Sequence, residues 1–138
     1  MAVSGDAQAW PLVDPESMRL RCVIVDDSSL FLEGAVDLLT REGLDVVGVA
    51  SSGDEAIRLV TELRPDVTLV DIDLGNEDGF EVAQRLDAIP GASSKVILVS
   101  THAEEDLAQL IERSPALGFI AKTRLSAKAI RDTLERAA

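Results

Sequence analysis

The chain has 138 residues, 46% of them hydrophobic, which is enough for one domain with a packed core and argues against a disordered chain. Its formal net charge of -12 repels nucleic-acid phosphates and anionic lipids, so we expect no direct binding of DNA, RNA or a membrane. No stretch resembles a secretory signal or a membrane-spanning helix, and the single cysteine, Cys22, suits a reducing compartment. These features predict a cytoplasmic protein.

Residues 1–18 are predicted to form a mobile N-terminal tail that precedes one domain at residues 19–138. Gly5, Pro11 and Pro15 interrupt any periodic pattern there. An alternative is that Trp10 and Leu12 dock on a partner or on the domain itself. The sequence leaves both interpretations open.

The rest of the chain alternates two kinds of segment. Short apolar runs with the length and β-branching of buried strands lie at residues 20–25, 44–50, 67–70, 96–99 and 117–121. Each is followed by apolar residues at helical spacing. The expected helix boundaries and loops are marked by Ser28 and Ser126 as caps, Gly43 and Arg64-Pro65 as stops, and Gly75 and Gly79 around a loop.

Five βα units in succession predict an α/β fold with a parallel sheet covered by helices on both faces. Right-handed crossovers leave few topologies for such a chain. We expect the flavodoxin-like doubly wound sheet, (βα)5, with strand order 2-1-3-4-5.

Acidic residues follow the first and third strands, which are neighbours in this order. Asp26 and Asp27 end the first strand and Asp71 ends the third. Each aspartate alone is explained as well by a turn or a helix cap. Together they predict converging carboxylates that require a cation, and oxygen ligands without histidine or cysteine favour Mg²⁺ or Mn²⁺.

Two further polar residues follow the remaining strands. Ser100 ends the fourth strand and Lys122 follows the fifth. A capping hydroxyl and a solvated lysine are the alternatives for each residue alone. Their order along the chain favours one pocket, in which the hydroxyl donates to a phosphoryl oxygen and the ammonium offsets its charge.

Over about residues 20–137 the chain resembles the receiver domain of bacterial two-component response regulators. The matching motifs are the apolar strand entering Asp26-Asp27, the segment from Leu69 to Leu74 with Asp78-Gly79-Phe80, the segment Val96–Ser100, and the segment Gly118–Lys122. Each motif alone is weak, and their order and spacing together are specific.

The resemblance implies a signalling switch that catalyses its own phosphorylation and dephosphorylation, with a sensor histidine kinase or a phosphotransfer protein donating the phosphoryl group from a phosphohistidine. Asp71 matches the phosphoryl acceptor. The other implied roles are metal ligands at Asp26, Asp27, Asp71 and the backbone carbonyl of Asp73, phosphoryl contacts from Ser100 and Lys122, and a switch aromatic at Phe119.

Some positions depart from the family pattern. Thr123 replaces the proline that often follows the lysine in a cis peptide. Asp73 and Thr101 lie where family members tune the hydrolysis rate, which leaves the lifetime of the phosphorylated state open. His102 is interpreted as a loop residue.

The resemblance also implies readout on the face formed by the fourth helix, fifth strand and fifth helix. The fourth helix is acidic, whereas residues 113–138 hold six Lys/Arg against two Asp/Glu. These opposed charges could pair across a two-fold homodimer, and a solvated surface is the alternative.

Two other functions compete with a phosphorylated switch. One is a receiver-like binding module that acts without phosphorylation, against which the intact acidic set argues. The other is a flavin-nucleotide binder, but Asp26-Asp27-Ser28-Ser29 presents two negative charges where such a binder needs a phosphate loop.

Overall fold

The computed structural model describes residues 19–91 and 95–137, so the predicted tail at residues 1–18 lies outside the described residues. The strands are β1 (Arg21–Val25), β2 (Asp45–Ala50), β3 (Val67–Asp71), β4 (Asp73–Leu74), β5 (Glu77–Asp78), β6 (Lys95–Ser100) and β7 (Gly118–Ala121). The helices are α1 (Ser29–Arg41), α2 (Gly53–Leu63), α3 (Gly79–Asp87), α4 (Glu104–Arg113) and α5 (Ala127–Ala137).

The five long strands form one parallel sheet in the order β2-β1-β3-β6-β7. Counted without the two-residue strands β4 and β5, this is the order 2-1-3-4-5, so the predicted fold is confirmed. The sequence did not indicate β4 and β5, which pair antiparallel between β3 and α3.

The sheet separates two apolar clusters, because successive side chains of a strand point to opposite faces. Cys22 and Ile24 of β1 pack on the side that holds Leu39 of α1 and Ile130 of α5. The alternate β1 residues pack on the other side, which also holds α2 and α3. Helices therefore cover both faces, as the uninterrupted apolar strands predicted.

The predicted helix signals act as expected. The Ser28 side chain accepts a hydrogen bond from the Phe31 N–H at 3.2 Å, and Ser126 accepts one from the Ala129 N–H at 2.9 Å. α1 ends before Gly43, whose φ of +97° is one that glycine adopts without strain. These caps fix where each helix leaves the carboxyl ends of the strands.

The described residues contain no cis peptide bond, so the peptide that joins Lys122 to Thr123 is trans. No helix among them is long and apolar enough to cross a membrane.

Candidate phosphoryl and metal site

Three carboxylates meet at the carboxyl ends of β1 and β3. Asp26 is fully buried and Asp71 is 4% exposed, whereas Asp27 lies open to solvent. One carboxylate oxygen of each lies within 4.8 Å of the other two. Because β1 and β3 are paired neighbours, the sheet itself brings these distant residues together. The predicted convergence is therefore present, and the cluster could hold a metal ion.

Backbone contacts set the position of Asp26. Its N–H donates to the carbonyl of Ala50 at 3.0 Å, which continues the pairing of β1 with β2 by one residue. Its Oδ1 accepts a hydrogen bond from the N–H of Ser28 at 2.8 Å. The residue that caps α1 thus also orients a carboxylate of the site.

Lys122 connects the acids. Its Nζ lies 2.6 Å from Oδ2 of Asp26 and 3.2 Å from Oδ2 of Asp71. The ammonium also sits 4.3 Å from the ring centroid of Phe31, a cation–π distance. Lys122 begins a 3-10 turn, Lys122–Arg124, directly after β7. The lysine predicted from the end of the last long strand therefore reaches the cluster.

The donor set fits a hard divalent cation. Three carboxylates face a single ammonium, so their repulsion is only partly offset. Oδ2 of Asp26 is buried, and its partner is the ammonium of Lys122 at 2.6 Å. Since oxygen ligands of this kind suit Mg²⁺ and Mn²⁺, the residues present fit such an ion.

The environment of Asp71 favours its neutral form. Burial and then the charge of Asp26 raise the pKa of Asp71 from 3.8 to about 6, against the opposing effects of Lys122 and of the Asp73 N–H. For Lys122, burial lowers the pKa, but the two carboxylates outweigh burial and leave the pKa above its ordinary value. The ammonium of Lys122 therefore stays charged, whereas the carboxyl group of Asp71 is harder to ionise than a solvated one.

Ser100 ends β6 beside β3 and is buried. Its Oγ accepts a hydrogen bond from the His102 N–H at 3.0 Å, and the His102 ring nitrogen Nδ1 lies 3.4 Å away. His102, interpreted from the sequence as a loop residue, therefore contacts one of the predicted site residues. In the sequence, the spacing of two residues between Ser100 and His102 was the only indication of this contact.

Phe119 in β7 is half-buried and packs against the apolar cluster on the α2–α3 side of the sheet. It also lines a cavity of about 640 Å³ at α4, β7 and α5. The charged residues that line the cavity are Glu104 and Glu105 of α4, Arg124 after β7, and Asp132 and Arg136 of α5. An aromatic side chain therefore lies next to open space on the face where readout is expected.

The hairpin formed by β4 and β5 folds back on the site. The Asp73 N–H donates to Oδ1 of Asp71 at 3.3 Å, while the Asp73 side chain is exposed. Gly75 has φ +75°, and a Cβ there would lie 2.9 Å from Oδ2 of Asp27. A Cβ on Gly79 would overlap the carbonyl oxygen of Asp71. Both glycines of the predicted loop are therefore needed for close approach to the acids.

One contact of this hairpin was not foreseen. Oε1 of Glu77 accepts a hydrogen bond from the N–H of Gly53 at 2.8 Å, at the first residue of α2. The segment that follows the candidate acceptor is thereby tied to a neighbouring helix. A lone glutamate in a loop carries no sequence signal for such a contact.

The comparisons with known proteins agree on one family. The family model described as the response regulator receiver domain matches residues 22–135. The probable transcriptional regulatory protein NarL of Mycobacterium tuberculosis H37Rv is 31% identical over 123 residues, 88% of this chain and 56% of that protein. The transcriptional regulatory protein LiaR of Bacillus subtilis is 29% identical over 110 residues, 79% of this chain and 52% of that protein. The chain thus spans about half the length of these curated relatives.

Solved structures show the same relation. The receiver domain of the putative response regulator NarL from Mycobacterium tuberculosis superposes with a TM-score of 0.72 at 31% identity, covering 86% of this chain and 96% of that one. The response regulator domain of Thermotoga maritima CheB superposes with a TM-score of 0.67 at 29% identity, covering 86% and 93%. The chain belongs to the response regulator receiver domain family, whose members act as phosphorylation-switched signalling domains.

Proposed function

We propose that Asp71 is the phosphoryl acceptor of this receiver. The observation that carries the proposal is the position of its carboxylate, which is buried at the end of β3 beside both Asp26 and Lys122. A carboxylate oxygen is a nucleophile that can form an acyl phosphate. In the proposed step it attacks the phosphorus of a phosphohistidine, the O–P bond forms, the N–P bond breaks, and the released imidazole takes up a proton.

We also propose Mg²⁺, or Mn²⁺, as the metal. The carboxylates of Asp26, Asp27 and Asp71 and the backbone carbonyl of Asp73 would hold it. When bound, it would offset the charge of the acids and of the transferring phosphoryl group. The exposed side of the cluster at Asp27 leaves room for the waters that Mg²⁺ usually keeps.

Lys122 and Ser100 would register the new charge. The ammonium already lies 3.2 Å from the acceptor oxygen, so a short movement outward brings it to a phosphoryl oxygen. The Ser100 hydroxyl would exchange its contact with His102 for one with the phosphoryl group. Leu98 pairs with Phe119 across β6 and β7, which supports coupling of a shift in β6 to the switch aromatic.

The proposed donor is a sensor histidine kinase or a phosphotransfer protein, and the proposed readout face is α4, β7 and α5. The acidic and basic side chains around the cavity on this face suit a self-complementary, two-fold contact. We therefore include a homodimer of the phosphorylated form in the proposal. We also propose a cytoplasmic location, without direct nucleic-acid or membrane binding by this chain, in keeping with its charge of -12.

Incubation with acetyl phosphate and Mg²⁺, followed by intact mass spectrometry and Phos-tag gels, tests the acceptor. We expect the mass of one phosphoryl group on the wild type and none on Asp71→Asn. Asp73→Asn is a matched control two residues away, because its side chain is exposed and only its backbone carbonyl is assigned a role. This variant should still be phosphorylated.

An unmodified wild type, or a phosphoryl group that persists in Asp71→Asn, would contradict the assignment. An unmodified wild type would favour the phosphorylation-independent binding module instead. Magnesium dependence is tested separately with Asp27→Asn, which removes an exposed ligand and should abolish labelling without loss of folded protein.

A further inference from the structure

An apolar groove lies between α1 and the edge strand β2, apart from the acid cluster. It has a volume of about 470 Å³ and is lined by Leu32, Glu33, Val36, Asp37, Thr40 and Val49. Val49 is 39% exposed even though it is a large hydrophobic residue in a strand. The described residues, 19–91 and 95–137, leave this side chain partly open to solvent. The receiver site does not account for the groove.

The described part of the chain joins the sheet at Leu20, beside the strand β2 that borders the groove. The carbonyl of Leu20 accepts a hydrogen bond from the N–H of Asp45, the first residue of β2, at 2.9 Å. Leu20 packs against the same apolar cluster as Leu32 and Val36 of α1. Leu20 therefore lies next to β2, and its side chain packs on the face of the sheet that holds α1.

The N-terminal segment is long enough to fill the groove. From Asp45 to Val49, β2 rises about 13 Å at about 3.3 Å per residue. The chain between Leu12 and Leu20 can span at most about 26–29 Å when extended. A segment that turns back at Leu20 therefore reaches Val49 with length to spare.

The chemistry of the segment matches the groove. Residues 7–13, Ala-Gln-Ala-Trp-Pro-Leu-Val, carry no charge and lie between Asp6 and Asp14. Glu33 and Asp37 would repel an acidic occupant, whereas this uncharged stretch can bring Trp10 and Leu12 onto Leu32, Val36 and Val49. Pro11 fixes its own φ and biases Trp10 toward extended backbone, which lowers the entropy lost on docking.

We propose that residues 7–13 of this chain dock in the α1–β2 groove, with Trp10 and Leu12 as the anchors. The groove is then an intramolecular peptide-binding site. The tail holds α1 against the edge of the sheet and covers the exposed apolar surface of Val49. This inference does not depend on phosphorylation of Asp71.

The fluorescence of Trp10 can detect this contact without a label, because Trp10 is the only tryptophan of the chain and the chain has no tyrosine. We expect the intact protein to emit at a shorter wavelength than a peptide of residues 1–18, and acrylamide to quench it at least threefold less. Val49→Asp should move both values to those of the peptide. Leu110→Asp is the matched control, since Leu110 on α4 is 50% exposed and lies outside the groove. It should leave both values unchanged.

Val49→Thr, which is nearly isosteric, guards against a misfolded aspartate variant and should give intermediate quenching, with circular dichroism confirming the fold. Emission of the intact protein that equals that of the peptide overturns the proposal. A blue-shifted emission that survives Val49→Asp, or that Leu110→Asp abolishes, overturns the groove as its site. A blue shift that disappears on dilution would place the segment in a second copy and overturn the intramolecular assignment.

Discussion

Replacing the proposed acceptor by its neutral isostere should stabilise the metal-free protein. At neutral pH the Asp71 carboxylate is ionised although it is buried and close to Asp26. In Asp71→Asn the charge disappears while the side-chain volume is kept. Lys122 retains its 2.6 Å ion pair with Asp26, so the ammonium is not left alone. The variant should therefore unfold at higher urea concentration than the wild type.

The size of the stabilisation in Asp71→Asn follows from the shift in the pKa of Asp71. The rise of the Asp71 pKa from 3.8 to about 6 corresponds to an upper bound of about 3 kcal/mol at 1.36 kcal/mol per unit. The cluster opens to solvent at Asp27, so screening reduces this bound, and we expect about 1–2 kcal/mol. For a domain of this size that is a rise in Tm of about 3–10 °C.

The direction of the shift in the Asp71 pKa determines how the stability of the protein depends on pH. Because the folded-state pKa of Asp71 lies above the unfolded value, the native wild type binds the extra proton between about pH 4 and pH 6. Its stability therefore falls as pH rises through that window. Asp71→Asn has no such proton, so the difference between the two proteins should be near zero at pH 3.5. It should grow to its full value by pH 7.5.

Urea unfolding followed by circular dichroism, in EDTA at four values from pH 3.5 to pH 7.5, measures this difference. Asp37→Asn is the control, because Asp37 is exposed and its pair with Arg41 is a surface one. Added Mg²⁺ should then stabilise the wild type but not Asp71→Asn. A variant that is less stable than the wild type at pH 7.5, or a difference that does not change with pH, would refute the electrostatic reasoning.

Three further substitutions test the surroundings of the acids. Gly75→Ala places a Cβ 2.9 Å from Oδ2 of Asp27 at φ +75°, so calorimetric titration should show Mg²⁺ binding weakened about threefold to tenfold. Gly34→Ala is the control, because a Cβ there meets nothing. It should bind Mg²⁺ as the wild type does and gain up to about 1 kcal/mol of helix stability. Lys122→Ala leaves buried Asp26 unpaired, so its free energy of unfolding in urea without metal should fall by about 2–4 kcal/mol. Mg²⁺ should restore part of that stability. A loss that Mg²⁺ leaves unchanged would argue against a metal at the cluster. Glu77→Ala removes the hydrogen-bond acceptor of the Gly53 N–H at the start of α2, so it should lower the free energy of unfolding by about 0.5–2 kcal/mol and speed amide exchange of Gly53. Exchange of Gly53 at the wild-type rate would show that the contact contributes nothing.

The sequence predicted the parts of this fold that depend on strand periodicity and burial. The strands β1 and β3 are mostly apolar and almost wholly buried because both of their faces are covered, and that pattern survives any error of a residue or two at their ends. Parallel strands place their carboxyl ends on one edge, so the residues at the ends of β1 and β3 and after β7 could be named from the sequence, and the three aspartates and Lys122 do lie together there. Nothing in that inference required knowledge of side-chain conformation.

Contacts that depend on loop conformation were not predictable in this way. The hairpin formed by β4 and β5 is two residues deep, too short for a periodic pattern. The hydrogen bond from Gly53 to Glu77 spans 24 residues and joins the first residue of α2 to the first residue of β5. Likewise, the backbone of His102 reaches Ser100 only because the chain bends directly after β6. Each contact is set by local backbone geometry that residue type does not specify.

The contacts that the site makes without a phosphoryl group set the energy that phosphorylation must overcome. The Ser100 hydroxyl accepts the His102 N–H, an interaction of about 0.5–1.5 kcal/mol net, and moving the hydroxyl toward Asp71 gives that bond up. In the proposed switch Lys122 also moves away from Asp26, which would leave a buried carboxylate unpaired unless a metal ion offsets its charge. A change of population from 1:99 to 99:1 requires about 5.5 kcal/mol of differential binding, which the phosphoryl group and the metal would supply together in the proposed switch. The ion pair between Lys122 and Asp26, 2.6 Å from Nζ to Oδ2, would therefore oppose the proposed change whenever no metal ion is bound.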